Sequence, residues 1–359
     1  MGTRDAREVL VVGCGAMTTL GVSAAASAAA VRAGISAGRE HPFVVDRAGR
    51  RMVVAAAPYL DIDLPAPRRL SLLAGSAAVE AVGRMGAGQG DPISIHVGLP
   101  PPRPGRGTDV SVVASHVLQE VATAARARCE IARIIETGHA AGAMAIAEAW
   151  TMIRSGACEF ALAGGVDSYL EPETLEWLES CDQVHGAGDE NNPYGFVPGE
   201  AAGFVLLASS EAASRQGGRA TLEISKAACV QESKVIKSET ICTGEAMSDL
   251  FEALGAGSKT GLVDRLYCDM NGEPYRADEY GFASIRAGLL ADASAFEAPA
   301  DRWGDVGAAS GPLFLVLAHA EAKRNGGART VFGAFTGSES GQRCGFVAHS
   351  QLFRGSFSC

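Results

Sequence analysis

Thr137-Gly138-His139-Ala140-Ala141-Gly142-Ala143-Met144-Ala145-Ile146 reads as a tight small-residue turn feeding an Ala-rich helix, with His139 at its start. The positive end of a helix dipole disfavours imidazolium, so His139 is expected to be neutral near pH 7. A neutral imidazole can act as base, hydrogen-bond partner or transient nucleophile, but an acyl-imidazole is too labile to store a chain for a second step. The plainer alternative is a histidine that caps or fills space at the start of a buried helix. Cys268, next to Asp269 and close to Asn271, is a second conceivable nucleophile. A lone cysteine ending the apolar run Leu262 to Tyr267 is more simply a small buried hydrophobe. Gly13-Cys14-Gly15 after a strand could open a dinucleotide fingerprint, but Thr18 stands where the third glycine belongs, so no nucleotide cofactor is expected.

The elements that must hold these residues follow from pattern. An apolar strand begins at Val9, and a helix follows from about Ser23. The Ala-rich helix ends near Arg154-Ser155-Gly156, and the apolar strand Phe160 to Ala163 leads into Gly164-Gly165. That unit is echoed by Gly311, a helix through Arg324-Asn325-Gly326, the stretch Thr330 to Phe335, and Gly337, which reads as an internal repeat. The polar stretch Ser209 to Arg219 is the natural join between two halves. Pro100 to Gly107 cannot lie inside a strand and reads as an exposed loop.

The turn at His139, with Leu162-Ala163-Gly164-Gly165-Val166-Asp167 behind it, resembles the nucleophile turn of the β-ketoacyl synthases, condensing enzymes of the thiolase superfamily. There a cysteine at this spot carries the growing acyl chain. Val9-Leu10-Val11-Val12-Gly13-Cys14-Gly15-Ala16-Met17-Thr18-Thr19-Leu20-Gly21 resembles the opening strand and loop of those synthases. Tyr194-Gly195-Phe196-Val197-Pro198-Gly199-Glu200-Ala201-Ala202-Gly203 is similar to their Gly-Phe-Val-x-Gly-Glu-Gly-Ala-Gly run. In the second half the likeness weakens at the chemistry. Cys268-Asp269-Met270-Asn271-Gly272-Glu273 sits where the family has Asn-Ala-His-Gly-Thr, which puts Asn271 at the first catalytic histidine. Gly304-Asp305-Val306-Gly307-Ala308-Ala309-Ser310-Gly311 sits where it has Gly-His-x-x-Gly-Ala-Ala-Gly, so Asp305 most nearly replaces the second. The glycine- and phenylalanine-rich gate reads Gly337-Ser338-Glu339-Ser340-Gly341-Gln342, and Gln183 to Asn192 is polar and short where the family usually carries an aspartate and an arginine before Gly-Phe.

The resemblance implies an α/β thiolase-like fold of two pseudo-repeated halves in alternating helix and sheet layers, residues 1–210 and 220–359, with the catalytic turn buried between two sheets. With His139, Asn271 and Asp305 in place of the Cys-His-His set, the thiolate favoured by a helix N-terminus is gone. So are donors aimed at a developing enolate, a preorganised term that is often the largest in catalysis. Asp305, if ionised, puts negative charge there instead, while the Asn271 amide keeps one donor for a weak oxyanion contact. Glu273 and Asp305 are the candidate carboxylate partners of His139. The expected function is a catalytically degenerate binding or accessory subunit. It is expected to be a homodimer and to partner an active synthase, in the manner of a chain-length factor, or a bacterial secretion effector. The alternative is an acyltransferase or acyl hydrolase on acyl-CoA or acyl-carrier substrates with His139 as base.

Composition limits the other classes. The 359-residue chain is long enough for a large α/β unit and carries a net charge of −10. Without a basic run interleaved with aromatics, nucleic acid is not an expected partner. The nine cysteines include no Cys-x-x-Cys pair, which argues against a disulfide framework and a zinc site and reads as reduced cytosolic thiols. The first strand starts too close to Met1 for a signal core, and Ser23 to Ala30 is too short and small-sided to span a bilayer, so a cytoplasmic protein off the membrane is expected.

Overall fold

The computed structural model describes residues 7–83, 92–105, 110–186, 192–216, 220–236, 238–256, 263–326 and 328–350. In chain order the first half contains β1 (Val9–Thr18), α1 (Ala24–Arg32), β2 (Arg39–Val45), β3 (Arg51–Val54), α2 (Ala66–Val82), β4 (Ile93–Gly98), α3 (Val110–Ala125) and β5 (Cys129–Ile135). It continues with α4 (Ala141–Ser155), β6 (Phe160–Ser168), α5 (Pro172–Ser180), β7 (Glu200–Ser209) and α6 (Ser210–Arg215). The rest is β8 (Leu222–Gln231), α7 (Glu245–Leu254), β9 (Arg265–Cys268), α8 (Pro274–Ala287), α9 (Ala300–Trp303), α10 (Ser310–Arg324), β10 (Val331–Gly337) and β11 (Gln342–Ser350). Among the described residues no helix is long and apolar enough to cross a membrane.

Nine strands form one mixed sheet in the order β5-β4-β6-β7-β1-β8-β11-β10-β9, while β2 and β3 make a separate hairpin. From the centre outward, β1-β7-β6-β4 and β8-β11-β10-β9 repeat the same sequence of antiparallel, antiparallel and parallel pairings. The halves meet through Leu10 opposite Glu223 and Val11 opposite Leu222. Helices α4 and α10 lie between the two halves of the sheet; α4 packs on β6 and β4 on one side and on β11 and β8 on the other. Helices α2 and α3 cover the outer face of the first half, and α7 and α8 that of the second. The result is a helix, sheet, helix, sheet, helix stack, with one apolar core around the middle helix layer and one beneath each outer helix layer.

That stack explains the odd composition of α4. A helix buried between two sheets has little room for side chains, and Ala141, Gly142, Ala143, Ala145 and Ala149 are all buried. A Cβ on Gly142 would collide with the Ala308 carbonyl oxygen, and one on Gly311 would press on Ala143, so these glycines set how closely α4 and α10 cross. Gly156 ends α4 in a left-handed cap at φ 78°, at the helix end expected near Arg154-Ser155-Gly156. Ser23 caps α1 by accepting from Ala26 N. Gly13 and Gly15 also serve packing, since a Cβ on either would strike a carbonyl oxygen of α2, at Ala81 and Ala77.

Two expectations need correction. Cys229 and Cys344, opposite each other across antiparallel β8 and β11, are disulfide-bonded, with Cα atoms 4.2 Å apart, because the strand register brings together residues 115 positions apart. The other described cysteines are free thiols, and Cys359 lies outside the described residues. The Pro-rich loop is not simply exposed: Arg103 is buried and puts its guanidinium 2.8 and 2.9 Å from the Asp167 carboxylate and 3.9 Å over the Tyr169 ring. Residues 106 and 107 of that loop lie outside the described residues, as do 187–191 and 217–219 of the two polar stretches and Leu262.

Candidate active site

Two equivalent tight turns face each other at the centre of the stack. Gly138–Ala140 leads into α4 and Gly307–Ala309 into α10, and each begins with a positive-φ glycine, 80° at Gly138 and 47° at Gly307. A side chain is disfavoured there on backbone grounds, and at Gly307 a Cβ would also run into the Asp167 carboxylate. The second turn is held by carboxylates. Asp167 Oδ2 accepts from Ala308 N at 3.0 Å, and Asp305 Oδ1 accepts from Gly307 N at 2.8 Å. The first turn is held by Ser338, whose hydroxyl oxygen accepts from Ala140 N at 2.9 Å.

The structure brings His139, Asn271 and Asp305 together. His139 Nε2 lies 2.9 and 2.8 Å from the two Asp305 carboxylate oxygens. Asn271, on the loop between β9 and α8, donates Nδ2 to Asp305 Oδ2 at 2.6 Å and to Glu273 Oε2 at 3.1 Å, while its Oδ1 accepts from Glu273 N. The Phe196–Gly199 run positions Asp305 through its backbone: Asp305 N donates to Val197 O, and Gly199 N donates to Asp305 O, both at 2.8 Å.

Of the two carboxylates proposed for His139, Asp305 is the partner and Glu273 is not. Glu273 instead accepts from Arg276 Nε at 3.1 Å and Gln183 Nε2 at 3.1 Å. The Asn271 donor expected to be free for an oxyanion is committed to these carboxylates. The expected direction of the His139 shift is reversed. Burial pulls the imidazole down, but the charge and hydrogen bond of Asp305 outweigh it and hold His139 above its ordinary pKa. Burial pushes the Asp305 carboxyl up, yet His139, Arg276 and the Asn271 amide together hold it well below the usual carboxylate range. The helix terminus is a partial charge, whereas Asp305 is a full one in contact, so the carboxylate decides the sign.

Sequence reasoning missed Arg276 and Arg103. Arg276 is 5 % exposed and donates Nη1 to Asp269 Oδ2 at 3.0 Å and to Gly337 O at 2.9 Å, tying the Asn271 loop to the end of β10. Its place three residues after Glu273 was the available signal, an (i, i+3) ion pair at the start of a helix. Arg103 has no such signal, since its partner Asp167 is 64 residues away. Cys268 is fully buried, with burial pushing its thiol pKa up, as a small hydrophobe would be. A cavity of about 10 Å³ bordered by Asp305 and Cys268 is at the lower limit for one water. Outside the site, Glu232, Cys242 and Glu279 bring potential metal ligands within 4.8 Å of one another, but both Glu279 oxygens already accept from Arg343 Nε.

Chemically this is a closed polar knot. Both donors that could face a reacting carbonyl, His139 Nε2 and Asn271 Nδ2, end on one carboxylate. His139 Nδ1 makes no hydrogen bond to the described residues.

Residues 121–213 match the family described as β-ketoacyl synthase, N-terminal domain. The non-reducing polyketide synthase Preu3 of Preussia isomera is 27% identical over 159 residues, 43% of this chain. The match takes in only 6% of that relative's length. Among solved structures, the ketosynthase with its acyl-carrier protein from the type II polyketide synthase AntDE:AntF superposes with a TM-score of 0.79 at 18% identity, covering 97% of this chain and 100% of that one. The ishigamide ketosynthase/chain length factor gives 0.77 at 17% identity, with 97% and 100% covered. The ketosynthase from module 6 of the bacillaene synthase of Bacillus subtilis 168 gives 0.74 at 13%, with 96% and 72% covered. The buried paired turns, the mirrored sheet and these matches agree: the chain has the ketosynthase fold, and its residues 121–213 match the β-ketoacyl synthase N-terminal domain.

Proposed function

We propose that this protein is a catalytically degenerate ketosynthase-like subunit that binds a partner and does not form carbon-carbon bonds. One observation carries the reading: His139 and Asn271 both direct their nitrogen donors at Asp305, so the position where an enolate would need positive charge holds an ionised carboxylate. The partner in this reading is an active synthase or an acyl-carrier protein, the two kinds of companion named for its structural neighbours. A secretion effector is the other partner considered, and self-association as a homodimer fits the same frame. The chain is read as two halves, residues 1–210 and 220–359, joined through α6.

The test is decarboxylation of malonyl-CoA and of malonyl-carrier protein by the purified protein, followed as carbon dioxide release, alongside melting curves with CoA and acyl-CoAs. The expected result is no release above buffer and no ligand shift. A ligand at 100 times its dissociation constant would stabilise the fold by about 2.7 kcal/mol, which a melt detects. Release that disappears in Asp305→Asn would sink the degenerate reading.

A second reading rests on the free Nδ1. An imidazole whose Nε2 is oriented by a buried carboxylate has the arrangement of a general base with its positioning partner. It supports acyl transfer or hydrolysis of acyl-CoA or acyl-carrier substrates. Hydrolysis abolished by His139→Ala with an unchanged melting curve would select it.

A further inference from the structure

A cleft of about 530 Å³ that His139, Asn271 and Asp305 do not line lies between the C-terminal turns of α1 and α10, strand β9 and the segment 296–302. Leu317, Ala320 and Phe296 are among its apolar lining residues. Around it stand four guanidinium groups, from Arg32, Arg265, Arg302 and Arg324. Arg265 is occupied by Glu297 at 3.0 Å and Glu321 at 3.3 Å. Arg302 makes one long hydrogen bond, 3.4 Å to Gly34 O. Arg32 and Arg324 have no hydrogen bond or ion pair with the described side chains. With Glu297 and Glu321 committed to Arg265, three guanidinium groups face Asp301 as the cleft's remaining carboxylate.

Arg32 and Arg324 each suit the last turn of a helix, where a cation complements the dipole. That role needs no shared cavity, yet both border the same one, together with apolar side chains, in a chain of net charge −10. A volume of this size falls in the range of small-molecule sites. Guanidinium groups with free forks match the oxygens of phosphate in paired hydrogen bonds. We infer that this cleft binds an organic phosphate, its phosphate on Arg32 and Arg324 and its apolar body over Leu317 and Ala320. The inference is independent of whether His139 has any activity.

The experiment is isothermal titration at low ionic strength with adenosine 5′-diphosphate, adenosine and glutarate as probes. The diphosphate binds saturably, and adenosine and glutarate bind at least tenfold more weakly. Arg32→Ser and Arg324→Ser each weaken the diphosphate tenfold or more while keeping the wild-type melting curve, and Arg68→Ser on α2 does not. Absence of saturable binding overturns the inference. So does equal binding of glutarate, or binding that both cleft variants leave intact.

Discussion

Both carboxylate oxygens of Asp305 lie within 2.9 Å of His139 Nε2, although 166 residues separate the two in the chain. Each belongs to a different half of the pseudo-repeat, so the contact exists only when the two paired turns are assembled. Breaking a buried pair by removing one partner typically costs about 3–5 kcal/mol.

The pair makes stability depend on pH with a defined sign. The folded pKa of Asp305 is depressed, so its contribution is present above the unfolded carboxylate value and lost as pH falls through the folded one. The folded pKa of His139 is raised, so its contribution is complete below the ordinary imidazole value and lost as pH rises through the folded one. The pair therefore contributes most between about pH 4 and pH 6.5. Urea denaturation of wild type and Asp305→Asn at pH 5.5 and pH 9 is expected to show a larger difference at pH 5.5. An equal difference at both values would mean that His139 does not carry the charge.

Asp305 also predicts what happens when a thiol is restored. In His139→Cys the new sulfur sits beside an ionised carboxylate, which raises its pKa and suppresses the thiolate. Alkylation by iodoacetamide at pH 7.5, quantified on the peptide containing position 139, should be slow. In His139→Cys/Asp305→His it should be at least tenfold faster. Similar rates in the two proteins would remove Asp305 as the inhibitory charge.

Two glycine substitutions should change stability in opposite directions. Exchange of a helix-interior glycine for alanine is favourable by roughly 1 kcal/mol on propensity alone. Gly281 in α8 has open space where a Cβ would go, so Gly281→Ala should stabilise by up to about that amount. In Gly142→Ala the Cβ meets the Ala308 carbonyl, and overpacking of about 1–3 kcal/mol should reverse the sign. Chemical denaturation of the two variants measures both.

The Cys229–Cys344 bond predicts a linked peptide. Cys344 is fully buried and packs against Ala140 and Ala143 at the start of α4, while Cys229, its cross-strand partner on β8, is exposed. Digestion of protein alkylated without reductant should yield the two cysteine peptides joined, and prior reduction should separate them. Recovery of both peptides alkylated without reduction would show that the bond is absent in solution.

The elements of this protein were legible because each rests on local pattern. The strand from Val9, the Ser23-capped helix, the α4 boundary at Gly156 and the repeat of a tight turn, helix and strand are carried by neighbours a few residues apart. The resemblance named His139 on its nucleophile turn and Asn271 and Asp305 in its weaker second half, and the fold brings these three side chains into hydrogen-bond contact. The sequence by itself thus determined the layered α/β class and the site's membership. Only the tertiary structure decided the site's chemistry. The charge environment of His139, the engagement of the Asn271 amide, the burial of Arg103 against Asp167 and the pairing of Cys229 with Cys344 all depend on residues 34 to 166 positions apart. Electrostatic energies fall off with distance in space and rise as water is excluded, and neither quantity is set by spacing along the chain.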